Sequence, residues 1–401
     1  MKFLFIHTRY LQSAGGEDTT LDAEMKLMKE KGHEVRLLLF DNASMGNGIK
    51  GKINAGLSAI YNSSSAKKLR EILNEYRPDI IHVHNFFFTA SPSVLIEAKK
   101  HKIPVVVTIH NFRLVCANSL LLRDNKVCEL CINHTFPWYG VKYKCYHDSA
   151  IQSAMVGSMS AYHKLKGTWR HKVDTYITPS GFIRSKLLCS SFNVPSNKIK
   201  VKKNFTEDAG LTAADERKPY FLFVGRIAKE KGIDTLLDAW SLMKNEELVI
   251  IGDGPEIDRI KTQYSDLKNV SFKGKQTKEV VLDYMKNCLA LIFPSIWYEG
   301  LPLTIVEAFS TGTPVIGSSL GAMKEMIQDR KNGLLFEKGN AKSLQNAILY
   351  LKLQIENKDY SMYTNARISY MELYHPDKCY EEAMNIYNDL INDKKNLNNA
   401  P

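Results

Sequence analysis

The segment from residue 297 to residue 307 holds the side chains best suited to chemistry. It places two carboxylates, Glu299 and Glu307, around a predicted helix start. Pro302 suits the first helical position because its missing N–H would have no partner there. The first turn of a helix offers unpaired N–H groups and a partial positive charge, which suit a phosphate group. The segment therefore predicts an anion site flanked by two acceptors for hydroxyl groups.

The two carboxylates could instead form the acid–base pair of a hydrolase. Retaining glycosidases place their two carboxyl groups about 5 Å apart. Eight helical steps would separate the backbones of Glu299 and Glu307 by about 12 Å. This distance favours recognition of sugar hydroxyls over paired acid–base catalysis. Two surface glutamates beside an ordinary helix are the remaining alternative.

A second group of charged residues lies upstream of this segment. Arg226 follows a predicted strand, and Lys231 immediately precedes Gly232, where a helix begins. Arginine offers a planar fork of donors and lysine a mobile point charge, and both suit a diphosphate. The alternative is a solvated basic loop.

Four of the seven cysteines are clustered in the first half of the chain. They are Cys116, Cys128, Cys131 and Cys145. A C-x-x-C pair with two outlying cysteines fits a tetrahedral structural zinc site, although the outer spacings match no common zinc finger. A metal there would brace a long insertion beside His110, and four separate thiols are the alternative. Disulfides are not expected in a chain without an export signal.

The composition is that of a soluble globular protein. The 401 residues are 44% hydrophobic and 24% charged, and this length favours two domains. No apolar run reaches the ~18–20 residues that span a bilayer, so we expect a cytoplasmic protein. The formal net charge of +11 suits an anionic membrane face or an anionic substrate. No nucleic-acid-binding motif is evident, and a generally basic surface is the alternative.

Strands and helices alternate in both halves of the chain, which predicts two doubly wound α/β domains with parallel sheets. We expect the first domain at 1–204, a linker at 205–219 and the second domain at 220–376. Several strands end in polar residues or glycine, where doubly wound sheets bind their ligands. Two such edges facing one another would form a cleft between the domains.

The second half of the sequence resembles the family 4 glycosyltransferases, the group 1 enzymes of GT-B architecture. The matching pieces, in the family's order, are Val224-Gly225-Arg226, Lys231-Gly232, Gly252-Asp253-Gly254-Pro255, Pro294-Ser295, Glu299-Gly300, Glu307-Ala308, Gly312-Thr313-Pro314-Val315-Ile316 and Gly333-Leu334-Leu335. The first half resembles the family more loosely, through Gly15-Gly16, His84 and Thr108-Ile109-His110-Asn111. The resemblance implies the GT-B fold, two facing Rossmann-like domains with an interdomain cleft. The C-terminal helix, at about 377–393, would complete the first domain.

The resemblance also implies a role for each matching residue. Arg226 and Lys231 would hold the diphosphate of a nucleotide-diphosphate-sugar, while Glu299 would bind the sugar hydroxyls and Glu307 the ribose. His110 would act at the reaction centre. The backbone at Gly300, Leu301, Pro302 and Leu303 would meet phosphate or sugar, and Gly15 and Gly16 would let the first loop approach the donor. The family usually has aspartate where this chain has Asn111.

These inferences predict a retaining glycosyltransferase that uses a UDP- or GDP-sugar and builds a surface polysaccharide. The acceptor would be a glycan or a polyprenyl-linked glycan, and the enzyme could sit on the inner face of the membrane. No Asp-x-Asp metal clamp occurs in a suitable context, so protein cations would replace a divalent ion at the leaving group. The alternatives are a nucleotide-sugar epimerase of similar architecture and a non-catalytic nucleotide-sugar-binding protein.

Overall fold

The structure is a computed structural model of the chain, and it describes residues 1–9, 15–42 and 58–398. It divides into two compact units. Unit 1 comprises Met1–Leu121, Cys128–Lys203 and Cys379–Pro401, and unit 2 comprises Leu122–Val127 and Asn204–Lys378. Within the described residues, no helix is both long enough and apolar enough to cross a membrane.

Parallel strands and helices alternate in both units. The strands are β1 Lys2–Arg9, β2 Glu34–Asp41, β3 Ile80–Val83, β4 Val105–Thr108, β5 Leu122–Arg123, β6 Lys126–Val127, β7 Thr175–Thr178, β8 Ile199–Val201, β9 Tyr220–Val224, β10 Glu247–Ile251, β11 Val270–Phe272, β12 Ala290–Phe293, β13 Val315–Ser318 and β14 Gly333–Phe336. The helices are α1 Gly16–Glu30, α2 Ser63–Glu75, α3 Ser93–Lys100, α4 Trp138–Lys142, α5 Ala150–Leu165, α6 Thr168–His171, α7 Gly181–Leu188, α8 Ile233–Ser241, α9 Ile257–Gln263, α10 Lys278–Asn287, α11 Leu303–Ser310, α12 Met323–Met326, α13 Ala341–Glu356, α14 Ser361–Leu373 and α15 Pro376–Asn398. Short 3₁₀ turns occur at Ser196–Lys198, Ala214–Glu216 and Lys229–Lys231.

Unit 1 contains a six-stranded parallel sheet with the order β2-β1-β3-β4-β7-β8. Its inner strands are almost wholly buried, as a sheet covered on both faces requires. Phe3, Phe5 and Ile80 pack in one core cluster with Leu21 of α1 and Tyr387 of α15. The C-terminal helix therefore completes this unit.

Unit 2 contains a second six-stranded parallel sheet, with the order β11-β10-β9-β12-β13-β14. One face of this sheet packs against α8 and α13, where Trp240 and Ile348 are fully buried. The other face packs against α11 and α14, where Phe309 and Tyr370 are fully buried. Both units thus have the doubly wound α/β architecture that the sequence predicts. The small antiparallel pair β5-β6 encloses a turn at Asp124 and Asn125.

Residues 205–219, predicted as a linker, belong to unit 2 and are anchored to it. The guanidinium group of Arg217 is buried and donates to Thr313 Oγ1 at 2.6 Å and to the Thr311 carbonyl oxygen at 2.7 Å. The Tyr370 hydroxyl donates to the carbonyl oxygen of Thr206 at 2.9 Å. These contacts lie within a polar sequence that has no apolar period, so composition alone conceals them.

Glycines allow the loops at the carboxyl ends of β9, β10 and β12 to lie against one another. Gly232 has φ +72°, and a Cβ atom there would lie 2.0 Å from the carbonyl oxygen of Pro294. A Cβ atom on Gly252 would lie 1.9 Å from the carbonyl oxygen of Gly225. Neither clash involves a flexible side chain, so any larger residue would have to displace backbone.

We predict that Gly232→Ala destabilises unit 2 far more than Gly339→Ala does. Both glycines have φ +72°, but a Cβ atom at Gly339 would meet no atom within 4 Å. The left-handed backbone alone costs about 1–2 kcal/mol, whereas the added clash at Gly232 raises the cost to about 2–5 kcal/mol. Equilibrium unfolding in urea measures both values. Equal losses of unfolding free energy in the two variants would contradict this prediction, because they would show that the loop at Gly232 moves aside at no energetic cost.

Candidate functional site

The topology of unit 2 brings the predicted anion-binding residues to one edge of its sheet. β9 and β12 are neighbours, and both strands run in the same direction. Arg226 follows β9, Glu299 follows β12, and Glu307 lies on the helix α11 that comes next. The carboxyl ends of adjacent parallel strands meet at the same edge, where doubly wound sheets bind ligands.

Glu299 is held by three donors that converge on a single carboxylate oxygen. Its Oε1 accepts hydrogen bonds from Lys231 Nζ at 2.7 Å, Ser295 Oγ at 2.6 Å and Trp297 Nε1 at 2.8 Å. The residue is only 7% exposed. Its other oxygen, Oε2, forms no hydrogen bond with any residue that the structure describes. The side chain is therefore fixed in orientation, while one oxygen stays available to a ligand.

Lys231 joins the two loops at this edge. Its ammonium group forms the ion pair with Glu299 and lies 5.3 Å from the centre of the Trp297 ring. The N–H of Ile296 donates to the carbonyl oxygen of Glu230 at 3.0 Å, which ties the same loops through the backbone. The sequence predicts that Lys231 contacts a diphosphate, and the structure adds that it orients the neighbouring carboxylate.

Arg226 is exposed at the same edge of the sheet. Its guanidinium group forms no hydrogen bond or ion pair within the described part of the chain. An arginine in this state can present its donors to an anion in bidentate fashion. The predicted role of Arg226 remains a proposal that this exposure supports.

The helix after Glu299 begins one residue later than the sequence suggested. α11 starts at Leu303, and Pro302 precedes it with an extended ψ of 113°. The N–H of Ile305 donates to the Pro302 carbonyl oxygen at 3.1 Å, so Pro302 is the N-cap and not the first helical residue. Proline fits this place too, since its ring fixes φ, here −70°, and ψ remains free to be extended.

Glu307 is a largely buried carboxylate on α11, with a side chain 17% exposed. Its Oε1 lies 3.9 Å from Lys278 Nζ, too far for a hydrogen bond. Burial raises the pKa of Glu307, and Lys278 offsets only part of this effect. A desolvated carboxylate with so few partners is suited to accept hydrogen bonds from ligand hydroxyls.

His110 lies at the corresponding edge of the sheet in unit 1. β3 and β4 are neighbours, with His84 just after β3 and His110 two residues after β4. Nδ1 of His84 is 3.2 Å from Nε2 of His110. His110 is partly exposed and lines a pocket with an empty volume of about 320 Å³, open to solvent.

Asn111, where the family usually has aspartate, forms a short hydrogen bond in this pocket. Its Nδ2 donates to Glu17 Oε1 at 2.6 Å, and its Oδ1 accepts from the N–H of Arg113 at 3.0 Å. An ionised aspartate could not donate to Glu17. Burial raises the pKa of Glu17, and the Asn111 hydrogen bond opposes that rise. The presence of asparagine at position 111 therefore fits the partly buried carboxylate of Glu17 beside it.

Gly15 and Gly16 are exposed at the start of α1. The N–H of Gly15 donates to Asp18 Oδ2 at 2.9 Å, and Asp18 Oδ1 lies 2.8 Å from Nε2 of the buried His7. A Cβ atom on Gly16 would meet nothing within 4 Å. No described residue thus requires a glycine at position 16, and the close approach of a ligand to Gly15 and Gly16 stays a prediction.

The four clustered cysteines are free and lie in unit 1. Burial raises the pKa of Cys116 to about 11, so this thiol is protonated unless a metal ion displaces the proton. Among the described residues, the one group of three metal-ligating side chains with ligand atoms within 4.8 Å is Glu24, His82 and His84. Zinc binding by Cys116, Cys128, Cys131 and Cys145 stays a prediction that would require the thiols to draw closer.

The roles of several side chains at these sites were not predicted from the sequence. In unit 2 these are Ser295 and Trp297, whose position two to four residues before Glu299 could have marked them as its donors. In unit 1 they are Glu17 and Glu24, both on α1, where a glutamate ordinarily faces solvent. Only the fold reveals that Glu24 is buried and that Glu17 is partly buried.

Two protein-family models match the chain. The model described as Glycosyltransferase Family 4 matches residues 14–208, and the model described as Glycosyl transferases group 1 matches residues 204–368. Together they extend over 14–368 of the 401 residues. The boundary between them falls where the structure divides into its two units.

The chain is also similar to individual known proteins, two in sequence and one in structure. An uncharacterized 42.6 kDa protein in a cps region of Klebsiella pneumoniae is 25% identical over 81% of this chain and 87% of its own length. An alpha-monoglucosyldiacylglycerol synthase of Streptococcus pneumoniae is 27% identical over 67% of this chain and 58% of its own. The crystal structure of Anabaena HepE in complex with UDP superposes with a TM-score of 0.68 at 15% identity, over 97% of this chain and all of that one. At this identity the likeness shows a shared fold.

We predict that Glu307→Gln raises the melting temperature at pH 8 and leaves it nearly unchanged at pH 4. Because folding raises the pKa of Glu307, the charged form disfavours the folded state above that pKa. Below the pKa of the unfolded chain the group is protonated in both states and the penalty disappears. A calorimetric scan of the ligand-free protein should show a rise of about 2–4 °C for each kcal/mol regained.

Glu279→Gln is the matched control, since Glu279 is exposed on the neighbouring helix α10. This variant should show no rise in melting temperature at pH 8. A similar rise in both variants, or a fall in Glu307→Gln at pH 8, would contradict the assignment of a desolvated carboxylate.

Proposed function

The chain belongs to the group 1 glycosyltransferases and has their GT-B fold, and from this premise we propose that it is a retaining glycosyltransferase. Its donor is a nucleotide-diphosphate-sugar, with UDP or GDP as the leaving group. Its acceptor is a glycan or a polyprenyl-linked glycan of a surface polysaccharide. The fixed carboxylate of Glu299, with one oxygen committed to three donors and the other available, is the observation that carries the proposal.

Unit 2 binds the donor in this proposal. Breaking a sugar–diphosphate bond requires stabilisation of the negative charge that develops on the leaving group. Arg226 and the first turn of α11 offer donors for this charge, and Lys231 adds a positive charge beside them. The complex of Anabaena HepE with UDP supports a uridine nucleotide as one candidate.

Glu299 and Glu307 recognise hydroxyl groups in this proposal. Glu299 Oε2 accepts from the hydroxyls of the donor sugar, while Lys231, Ser295 and Trp297 hold Oε1. Glu307 accepts from the ribose hydroxyls, which replace the water lost on burial. The backbone at 300–303 contacts phosphate or sugar, and Gly15 and Gly16 admit the donor to the first loop.

His110 contributes its imidazole to the reacting sugar, and the protein's cations take the place of a divalent metal. Two alternatives keep the same donor site. A nucleotide-sugar epimerase would convert the donor with no acceptor present. A non-catalytic binding protein would bind the donor and leave it intact.

We predict that Arg226→Met and Lys231→Met each reduce donor turnover about 10²–10³-fold, because each removes charge stabilisation from the leaving group. Turnover is measured as release of UDP or GDP from a panel of sugar nucleotides, with polyprenyl-linked glycans as acceptors and EDTA present. Lys229→Met is the matched control, since Lys229 lies on the same 3₁₀ turn as Lys231 and should not contact the donor. NMR of the product should show the anomeric configuration of the donor.

Three results would contradict parts of this proposal. Inverted configuration would exclude retention, and donor conversion that needs no acceptor would favour the epimerase. Activity that is lost in EDTA and restored only by Mg²⁺ or Mn²⁺ would exclude the metal-free leaving-group site. Full activity in Arg226→Met and Lys231→Met would refute the site itself.

We further propose that unit 1 docks on an anionic membrane through α4 and α5. Six large apolar side chains on or beside these helices are exposed. Together with Lys142 and Lys166, which lie next to two of their rings, we call them the aromatic–basic patch. The six apolar side chains are Trp138, Tyr139, Tyr143, Ile151, Tyr162 and Leu165, exposed by 37% to 79%. Ile151, Tyr162 and Leu165 recur at helical spacing, so they form one stripe along the outer face of α5.

The charge around the aromatic–basic patch complements an anionic surface. From Ile132 to Lys172 the sequence has five lysines and one arginine but a single acidic residue, Asp148. The Lys142 and Lys166 ammonium groups lie 5.5 Å and 5.9 Å from the centres of the Tyr143 and Tyr162 rings. Aromatic rings with adjacent lysines suit the headgroup region of a bilayer. A lipid-linked acceptor would be found at such a surface, and the Streptococcus relative is named for a lipid product.

We predict that the double variant Ile151→Ser/Leu165→Ser binds vesicles of phosphatidylglycerol and phosphatidylcholine about 10-fold or more weakly, because apolar burial is lost. Co-sedimentation measures the binding, which should also fall with added salt and on pure phosphatidylcholine. The matched control is Leu349→Ser/Leu353→Ser, which alters two exposed leucines of α13 in unit 2. Unchanged binding by the patch variant would refute membrane docking, and a dimer disrupted by it would assign the patch to a second copy.

A further inference from the structure

A buried polar network lies directly behind His110 in unit 1. Its members come from five places in the fold: α1, β3, the residue after β3, the segment after β8, and α15. They are Glu24, His82, His84, Lys202 and Tyr387, each no more than 4% exposed. Polar groups so deeply buried need partners, and the network supplies most of them from within.

Glu24 is the one carboxylate of this network, and it is held as an anion. Lys202 Nζ lies 3.1 Å from Glu24 Oε1, and the Tyr387 hydroxyl donates to the same oxygen at 3.3 Å. Burial acts to raise the pKa of Glu24, but the charge of Lys202 and its hydrogen bond to the carboxylate act against burial, and the pKa lies below its ordinary value. Glu24, His82 and His84 are three side chains close enough to share a metal ion. Lys202 already supplies a positive charge to this group.

The histidines beside this carboxylate are neutral. Burial lowers the pKa of His82 to about 4 and that of His110 to about 3, and it lowers the pKa of His84 well below its usual range. A neutral imidazole carries one proton, so one of its nitrogens donates and the other accepts. The position of that proton follows from the neighbours of each ring.

The charge of Glu24 favours one position for the proton of His84. Glu24 Oε2 and His84 Nε2 are 3.5 Å apart, and neither atom forms a hydrogen bond with any described residue. A lone pair on Nε2 would face the negative carboxylate oxygen, whereas an N–H there is attracted to it, so we place the proton of His84 on Nε2. His84 Nδ1 is then an acceptor, and the atom 3.2 Å from it, His110 Nε2, must be the donor.

We propose that Glu24, acting through His84, is a positioning residue that holds His110 as the Nε2–H tautomer. His110 then presents the unprotonated Nδ1, which forms no hydrogen bond with any described residue, as an acceptor in the pocket that His110 lines. This inference rests on the proposed function, in which His110 acts at the reacting sugar. The ligand group that such a nitrogen recognises is a hydroxyl donor of that sugar.

The test is the tautomer of His110, observed by two-bond ¹H–¹⁵N spectra of the full chain labelled with ¹⁵N-histidine. The His110 signals are assigned with the variant His110→Gln. We expect the wild-type protein to show protonated Nε2 and unprotonated Nδ1. Protonation at Nδ1 of His110 in the wild-type protein would overturn the proposal, whatever the activity of the enzyme.

Glu24→Gln keeps the shape of the side chain but removes its fixed polarity, because an amide can either donate or accept. We expect a second His110 population, protonated at Nδ1, and a fall in kcat of about 10-fold or more with little change in KM for the donor. A single unchanged tautomer in a folded Glu24→Gln variant would contradict the proposal. Thermal unfolding establishes whether the variant, whose Lys202 has lost its counterion, is folded.

A pair of variants at position 84 keeps the test decisive if Glu24→Gln does not fold. His84→Gln can donate to Glu24 and accept from His110, so it should retain the Nε2–H tautomer of His110 and much of the turnover. His84→Leu can do neither, so it should give mixed tautomers and low turnover. Equal spectra in these two variants would overturn the relay, whereas the predicted spectra in a protein with no transferase activity would refute the proposed function alone.

Discussion

The ion pair between Lys231 and Glu299 is the interaction on which the candidate donor site depends. It joins the loop after β9 to the loop after β12 across adjacent strands. Gly232 allows these loops to approach because it has no Cβ atom to strike the Pro294 carbonyl. The pair is partly buried, so the attraction between its charges is less screened than on an open surface. The loop after β9 and the loop after β12 are thus held together by the carboxylate of Glu299.

In unit 1 the carboxylate of Glu24 is buried in the core and has to be stabilised there. A buried charge is costly unless a counter-charge and hydrogen bonds surround it. Lys202 and Tyr387 supply these to Glu24 from the segment after β8 and from the C-terminal helix. The C-terminal helix therefore does more than cover apolar surface, since it completes the polar environment behind His110. Both units place fixed polar groups behind the side chains that we propose meet the ligand.

The sequence predicted the features that local spacing encodes. Alternating strands and helices gave both doubly wound sheets, and the segment around Glu299 identified the candidate donor site because its chemistry lies within a few residues. The network around Glu24 could not be found in this way, since it joins residues more than 350 positions apart. The burial of Arg217 was concealed by its polar neighbours. The start of α11 was misplaced by one residue because proline fits both the N-cap and the first helical position.

We propose above that the edge of unit 2 formed after β9 and β12 binds a nucleotide diphosphate. Hydrogen–deuterium exchange of the full chain, measured with and without UDP or GDP, is the decisive experiment for this site. We expect one of these nucleotides to slow exchange in peptides covering 225–232 and 298–307. Binding without protection of these two segments, or protection confined to other parts of the chain, would contradict it.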